Sequence, residues 1–303
     1  MPYCPAGRNY MRLYANAKIN LTLDVTGRRP DGYHEVSTIM QSLDLHDILD
    51  IEKTEGDSVI LTCDEPSLPC DDSNLIIKAA KALMFKAGHS EGLRIHLSKQ
   101  IPMAAGLAGG SADAAATLVG VNNLLGLGLT DDGLAQIGAS LGADIPFCIQ
   151  GGTCLAEGIG EILTPISAMP DCDIVLVKPD FDVSTKYVYE HLDALDYTKL
   201  DHPDTKKMAD LIAEGDVSRI AANIGNILES VTVTGYPDIA DIKKRLLSSG
   251  ADGVLMSGSG PTVYGIFTDG SAANAAYNEL ISDHNDAYLC KPVGVGVTIE
   301  DQG

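Results

Sequence analysis

Tryptophan is absent from this chain of 303 residues and phenylalanine occurs only four times, so the core must be built from Leu, Ile, Val and Ala. Basic residues are scarce as well: 21 Lys and Arg stand against 42 Asp and Glu, a formal net charge of −21. That deficit argues against nucleic acid or an anionic membrane as partner, since either needs a basic footprint. An anionic substrate would have to be met by the few cations near its site. No apolar run approaches the roughly 20 residues of a membrane span. The opening "MPYCPAGRNYMR" lacks the apolar core of a secretory signal. Seven cysteines form no C-x-x-C pair and are odd in number, which points to free thiols in a reducing cytoplasm, not to a disulfide framework or zinc site.

What is present reads as an α+β protein of two domains. With 45% hydrophobic and 21% charged residues, the chain is long enough to bury a substantial core. "RLYANAKINLTLDV" and "EVSTIMQSLDL" alternate as strands do, joined by a loop in which Pro30 and Asp31-Gly32 mark a turn. "DILDIEK" and "GLRIHLS" read as further strands. Residues 71–88 predict a helix with Ser73 as N-cap, Leu75, Ala79, Ala82 and Leu83 on one face, and Gly88 at its end. A second helix is expected from Ser111 to Leu125, and a third is capped by Thr130 and ended by Gly142. "FCIQGGTCLA" reads as a strand. Pro165 and Pro170 flank the domain boundary, and "IVLVKP" opens the second half as a buried strand. "PDIADIKKRLLSSG" places Ile239, Ile242 and Leu246 on one helix face. "GVLMSGSGPTVYGIF" is strand, glycine loop, strand; "SAANAAYNELI" is a helix and "KPVGVGVTI" a closing strand.

"IPMAAGLAGGSADAAATL", residues 101–118, is almost devoid of large side chains. Glycines leading into a helix N-terminus let a polyanion approach unpaired backbone N–H groups and the positive end of the helix dipole. Gly106, Gly109 and Gly110, followed by Ser111, suit such a cradle. Composition alone allows an equal alternative, a helix packed closely on small residues. The G-x-x-x-x-G-K-[ST] loop and the dinucleotide G-x-G-x-x-G pattern are both absent.

Four stretches in order resemble the GHMP kinases, the group that includes galactokinase, homoserine kinase and mevalonate kinase: "AKINLTLDV" (17–25), "PMAAGLAGGSADAA" (102–115), "LGADIPF" (141–147) and "MSGSGPTVYGIF" (256–267). The "GRRPDGYH" loop resembles the branch of that family acting on a cytidine diphosphate sugar alcohol of the non-mevalonate isoprenoid route. The resemblance implies a nucleotide-binding α/β domain over 1–168 and a ferredoxin-like substrate-side domain over 169–303. ATP with magnesium is implied as phosphoryl donor, with no metal ligand assigned in the chain.

The resemblance makes Asp144 the partner of the attacking hydroxyl and sets Lys18 facing it, keeping it ionised. Pro146 restricts the backbone beside Asp144. It further implies an ATP site at Asn74, Leu75, Lys99, Pro102, Gly106, Leu107, Gly109, Gly110 and Ser111, the first three around adenine. Asn20 shares Lys18's strand face and is implied as a substrate contact, with Thr185. Tyr33 and Tyr189 would sandwich the cytosine beside His34. Ala104, Ala105 and Ala108 stand where relatives carry glycine, which suits negative φ at those positions. Taken alone, Asn74 is an ordinary helix cap, Lys99 a solvated lysine, and "SGSGP" equally a plain turn. Rival readings are a kinase for another small alcohol, a silent nucleotide-binding regulator, or an acidic scaffold. The last leaves all four motifs unexplained.

Overall fold

The computed structural model describes residues 9–196 and 199–300; most of the segment read above for a signal, with Cys4, lies outside the described residues. Two long strands, β1 (Tyr10–Arg28) and β2 (His34–Thr54), pair antiparallel at the centre of the first half. Met11, Leu13, Ala15, Ala17, Ile19 and Leu21 are all buried in one core, while the polar residues between them face the other side of the strand. β3 (Val59–Cys63), α1 (Leu75–Ala87) and β4 (Gly92–Ser98) follow as a βαβ unit with parallel strands. Next come α2 (Gly109–Leu125), α3 (Asp131–Ala139) and α4 (Ile145–Gln150), and then β5 (Thr153–Glu157) and β6 (Ile162–Pro165).

Small residues let α2 ride close on the sheet: a Cβ at Gly120 would come within 2.8 Å of side-chain carbons of Leu13 and Ile51. Ala112, Ala114, Ala115 and Ala116 are fully buried around it. The close-packing reading of the glycine–alanine stretch therefore holds for the body of the helix, leaving its N-terminus for another purpose.

The second half contains β7 (Asp173–Lys178), α5 (Thr185–Leu192), α6 (Thr205–Glu214), α7 (Val217–Ala221), β8 (Gly225–Asn226), α8 (Glu229–Gly235), α9 (Pro237–Ser248), β9 (Gly253–Met256), β10 (Val263–Phe267), α10 (Gly270–Leu280), β11 (Asp286–Cys290) and β12 (Val297–Ile299). Its four-stranded antiparallel sheet runs β11-β7-β10-β9, the ferredoxin-like order. Ile239, Ile242 and Leu246 of α9 are buried against it, as their spacing predicts. This half also returns to the first sheet: β8 pairs with β1 in parallel, and β12 pairs with β1 antiparallel.

Several local expectations need correction. Asn74, not Ser73, caps α1, its Oδ1 accepting from Ile76 N at 2.9 Å, because the Ser73 hydroxyl is taken by Asp71 at 2.6 Å. The buried face of α1 is Ile76, Ile77, Ala79, Ala80, Leu83 and Met84; Leu75 turns toward a cleft and Ala82 is only partly buried. Residues 147–150 are helical because Pro146 opens a short helix, and short apolar runs do not separate helix from strand. Within the predicted closing strand only Val297–Ile299 forms a continuous strand; residues 291–296 form a strap along the first half, held to β2 by a single bridge between Leu43 and Pro292, and β11 went unread. α2 begins two residues early, at Gly109, and α3 ends at Ala139. Cys63, Cys70, Cys148, Cys154, Cys172 and Cys290 are all free, four of them buried, although Cys70 is exposed.

The strap is tightly seated. Asn16 N–H donates to Gly296 O and Asn16 Nδ2 to Val295 O, each at 2.9 Å. A Cβ at Gly296 would lie 1.8 Å from Cys148 O of α4, whereas one at Gly294 would meet nothing within 4 Å. Gly296→Ala should therefore lower stability by at least the roughly 1–3 kcal/mol that overpacking costs, and Gly294→Ala should be near neutral, as read from denaturant midpoints.

Candidate active site

A cleft of about 550 Å³ opens between the halves, lined by β1, the loop before α2, the start of α4, α5 and the loop after β9. The glycine-rich loop forms its floor. Gly106 has φ +73°, and a Cβ there would sit 2.3 Å from Ser257 O. Ser257 Oγ donates to Gly106 O at 2.9 Å, and Lys18 N–H donates to Leu107 O at 3.1 Å. The loop is thus held between β1 and the 257–260 loop. The first bond within α2 is Ala112 N–H to Ala108 O, which leaves the N–H groups of Gly109, Gly110 and Ser111 for a ligand. These three residues, Pro102 and Gly106 line the cleft; Leu107 is buried beneath it and contributes only its backbone.

Ala104 and Ala108 do not adopt the negative φ expected of them. Their φ values are +49° and +58°, the left-handed region where a Cβ is costly. The loop keeps the backbone path that favours glycine, with strain held at these two alanines; Ala105 alone follows the expectation.

Lys18 and Asn20 lie between two register shifts in the β1–β2 ladder, one at Asn16/Lys18 and the other at Asn20/Thr22. Such bulges re-aim side chains, and here both residues face the cleft. Lys18 Nζ donates to Asn20 Oδ1 and Asn20 Nδ2 to Thr38 Oγ1, each at 2.8 Å. Tyr264 of β10 donates its buried hydroxyl to Asn20 O at 2.9 Å, tying the second sheet to this strand. Asp144 lies across the cleft in the N-cap position of α4, yet its side chain makes no capping bond, so the carboxylate is left to the cleft. Lys18 and Asp144 share the cleft without forming an ion pair: the Lys18 ammonium is bonded to Asn20 instead. Cys148, one turn along α4, has its thiol pushed up, first by burial and then by the Asp144 charge.

Lys99 departs from its expected setting. Its side chain is 6% exposed, and its ammonium is bonded to Asp47, itself 0% exposed, and lies 3.8 Å from Asp113. Asp47 Oδ1 also accepts from Gln100 N and Ile101 N, at 2.6 and 2.8 Å. The ammonium rests behind Gly109, where a Cβ would be 2.9 Å from Nζ. Asn74 borders the cleft, but its side chain is committed to the helix cap and to Pro69 O. Leu75 lines the cleft at the same end.

On the other side, Thr185 opens α5 and meets Ser259 hydroxyl to hydroxyl at 2.8 Å. Tyr189, one turn on, lines the cleft, its ring 4.8 Å from that of His34. His34 Nε2 is 2.7 Å from Asp193 Oδ1, and Arg28 pairs with the same carboxylate at 3.2 Å. Tyr33 is 61% exposed and is not brought into the cleft, so the expected aromatic pair is not assembled.

Sequence reasoning missed the brace behind the 257–260 loop. Asn226 Nδ2 donates to Met256 O and Gly258 O, and Glu229, paired with Lys243, accepts from Met256 N at 2.8 Å. It missed Asp113 as well, whose only signal was being the one acid in an otherwise small-residue stretch.

Known proteins resemble this chain in both sequence and fold. Residues 74–152 match the GHMP kinases N terminal domain and residues 208–286 the GHMP kinases C terminal domain. The chain is 48% identical to the 4-diphosphocytidyl-2-C-methyl-D-erythritol kinase of Caldicellulosiruptor saccharolyticus, covering 89% of this chain and 92% of that one. It is 46% identical to the Brevibacillus brevis enzyme of the same name, covering 92% and 95%. A crystal structure of 4-(cytidine 5'-diphospho)-2C-methyl-D-erythritol kinase superposes with a TM-score of 0.80 at 31% identity, over 94% of this chain and 100% of the other.

Lys99→Met strands the buried Asp47 carboxylate and should cost about 3–5 kcal/mol of stability. Lys99→Met/Asp47→Asn, which removes both charges, should recover much of that loss in the same denaturation assay.

Proposed function

The chain belongs to the GHMP kinase family, and we propose that it transfers the γ-phosphoryl group of ATP to the 2-hydroxyl of 4-diphosphocytidyl-2-C-methyl-D-erythritol, in the non-mevalonate route to isoprenoid precursors. One observation carries the assignment: Lys18, Asp144 and the open N-terminus of α2 line a single cleft although they come from separate parts of the chain. Phosphoryl transfer needs little more than positioning and charge stabilisation.

The N–H groups of Gly109, Gly110 and Ser111 receive the phosphates, aided by the α2 dipole. Asp144 accepts the hydrogen bond of the acceptor hydroxyl and orients it for attack. Lys18 keeps one N–H on Asn20 and directs its remaining donors into the cleft, stabilising both the carboxylate and the negative charge of the transferring group. Asn74, Leu75 and Lys99 border the nucleoside end, Lys99 mainly through its backbone because its ammonium is occupied. Magnesium comes with the nucleotide and neutralises phosphate charge. Among the described residues no group of three or more His, Cys, Asp or Glu is arranged to hold a metal.

Asn20, Thr185 and Tyr189 form the acceptor side. The cytosine stacks on Tyr189 with His34 at its edge, His34 being held by Asp193, and Tyr33 closes over it from solvent. In this reading residues 1–168 act as the nucleotide domain and 169–303 as the substrate-side domain. The inferred setting is the cytoplasm, in keeping with six unpaired cysteines; among the described residues no helix is long and apolar enough to cross a membrane.

Purified protein should consume ATP with the cytidine compound and not with mevalonate or homoserine. Asp144→Ala should lower turnover by about 10²–10⁴-fold while ATP binding persists. Turnover of mevalonate or homoserine would overturn the cytidine assignment, and ATP binding without turnover of any acceptor would overturn the reaction.

A further inference from the structure

Asp113 has no part in the mechanism above, yet it lines the nucleotide end of the cleft. It sits in the second turn of α2, four residues after Gly109, and helical side chains lean toward the N-terminus, here toward the cradle. Its side chain is 4% exposed. Its two oxygens are in different circumstances. Oδ2 faces the buried Lys99–Asp47 pair, 3.8 Å from the ammonium, whereas Oδ1 is buried and has no hydrogen-bond partner. A native buried oxygen without a partner calls for an explanation.

One ammonium cannot neutralise two buried carboxylates. Asp47 holds the Lys99 bond and two backbone N–H groups, so it keeps the negative charge. Asp113 has only the distant side of the ammonium, with the charge of Asp47 nearby. Two carboxyls gathered around one ammonium do not both ionise readily, and the one less well held keeps its proton. Burial, and next the Asp47 charge, push the Asp113 carboxyl well above the ordinary range, with Lys99 opposing. The other ionisable groups near it are the thiols of Cys63 from β3 and Cys148 from α4, both held protonated by burial.

We propose that Asp113 is a neutral carboxylic acid that keeps its proton on Oδ2, directed as a hydrogen-bond donor toward Asp47, and presents Oδ1 as a carbonyl acceptor for a nucleoside hydrogen-bond donor, either the exocyclic amino group of adenine or a ribose hydroxyl. The inference rests on the cleft being a nucleotide site. A lone-pair acceptor repels phosphate oxygens, so Oδ1 belongs to the nucleoside and not to the triphosphate. A neutral acid does this without placing a further negative charge beside the triphosphate. Asp113 thereby selects the nucleotide, and the Asp47–Lys99 pair sets its protonation.

Calorimetric titration of ATP, ITP (which lacks the amino group) and 2'-deoxy-ATP into wild type, Asp113→Ala and Asp113→Asn tests this. Wild type should prefer ATP by about tenfold, the worth of one hydrogen bond, over whichever analogue lacks the donor, which identifies that donor. Asp113→Ala should lose the preference, and Asp113→Asn should rescue it, since the amide donates to Asp47 and keeps a carbonyl toward the ligand. An alanine variant that discriminates like wild type, a wild type without preference, or an asparagine variant as weak as alanine would each overturn the proposal. The last result would mean that the charge itself is needed, as for an ionised partner of Lys99 or a metal ligand. Should the alanine variant not fold, the infrared difference between wild type and Asp113→Asn at neutral pH decides: a protonated carboxyl stretch is expected in wild type, and its absence overturns the assignment. Failure of all three proteins to bind ATP would instead remove the kinase reading.

Discussion

Two loops meet backbone to backbone at Gly106 and Ser257, and the site depends on that approach. No side chain fits at Gly106, where a Cβ would lie 2.3 Å from a carbonyl oxygen. The contact joins segments about half the chain apart and presses the loop before α2 against β1, where Lys18 N–H secures it. The second sheet carries the 257–260 loop to this position through Asn226, Glu229 and Tyr264. The ferredoxin-like half is therefore a structural support for the nucleotide site as well as a wall of the cleft. The strap at 291–296 does similar work from below, fastening β1 to the end of the helix that Asp144 begins.

Electrostatics in the cleft differ from what a net charge of −21 suggests. Lys99, one of the two lysines lining it, is already balanced by Asp47. What remains for a polyanion is Lys18, the free N–H groups at the start of α2 and their dipole. Backbone donors need no counter-charge and lose no side-chain freedom on binding. A buried, protonated Asp113 keeps a further negative charge out of the cleft.

Much of this was legible in the residues themselves. The alternation along β1, the Thr130 cap, the buried stripe of α9 and the glycine loop between β9 and β10 all follow from local pattern, and local pattern is what a single segment encodes. Motif order also located Lys18, Asp144 and the loop before α2. What was not legible depended on distant partners. Lys99 reads as solvated until Asp47, 52 positions earlier, takes its ammonium. Ala104 and Ala108 gave no hint of positive φ, because the neighbouring loop imposes that path on them. Tyr33 lies in the right motif but outside the cleft, since side-chain direction in an exposed turn is set by what closes over it.

Amide hydrogen exchange, with and without a non-hydrolysable ATP analogue, addresses the central claim that backbone N–H groups are themselves the phosphate ligand. Exchange should slow at Gly109, Gly110 and Ser111, and at the 257–260 loop that braces them. Unchanged exchange at the start of α2, with protection appearing elsewhere while the analogue is bound, would contradict it.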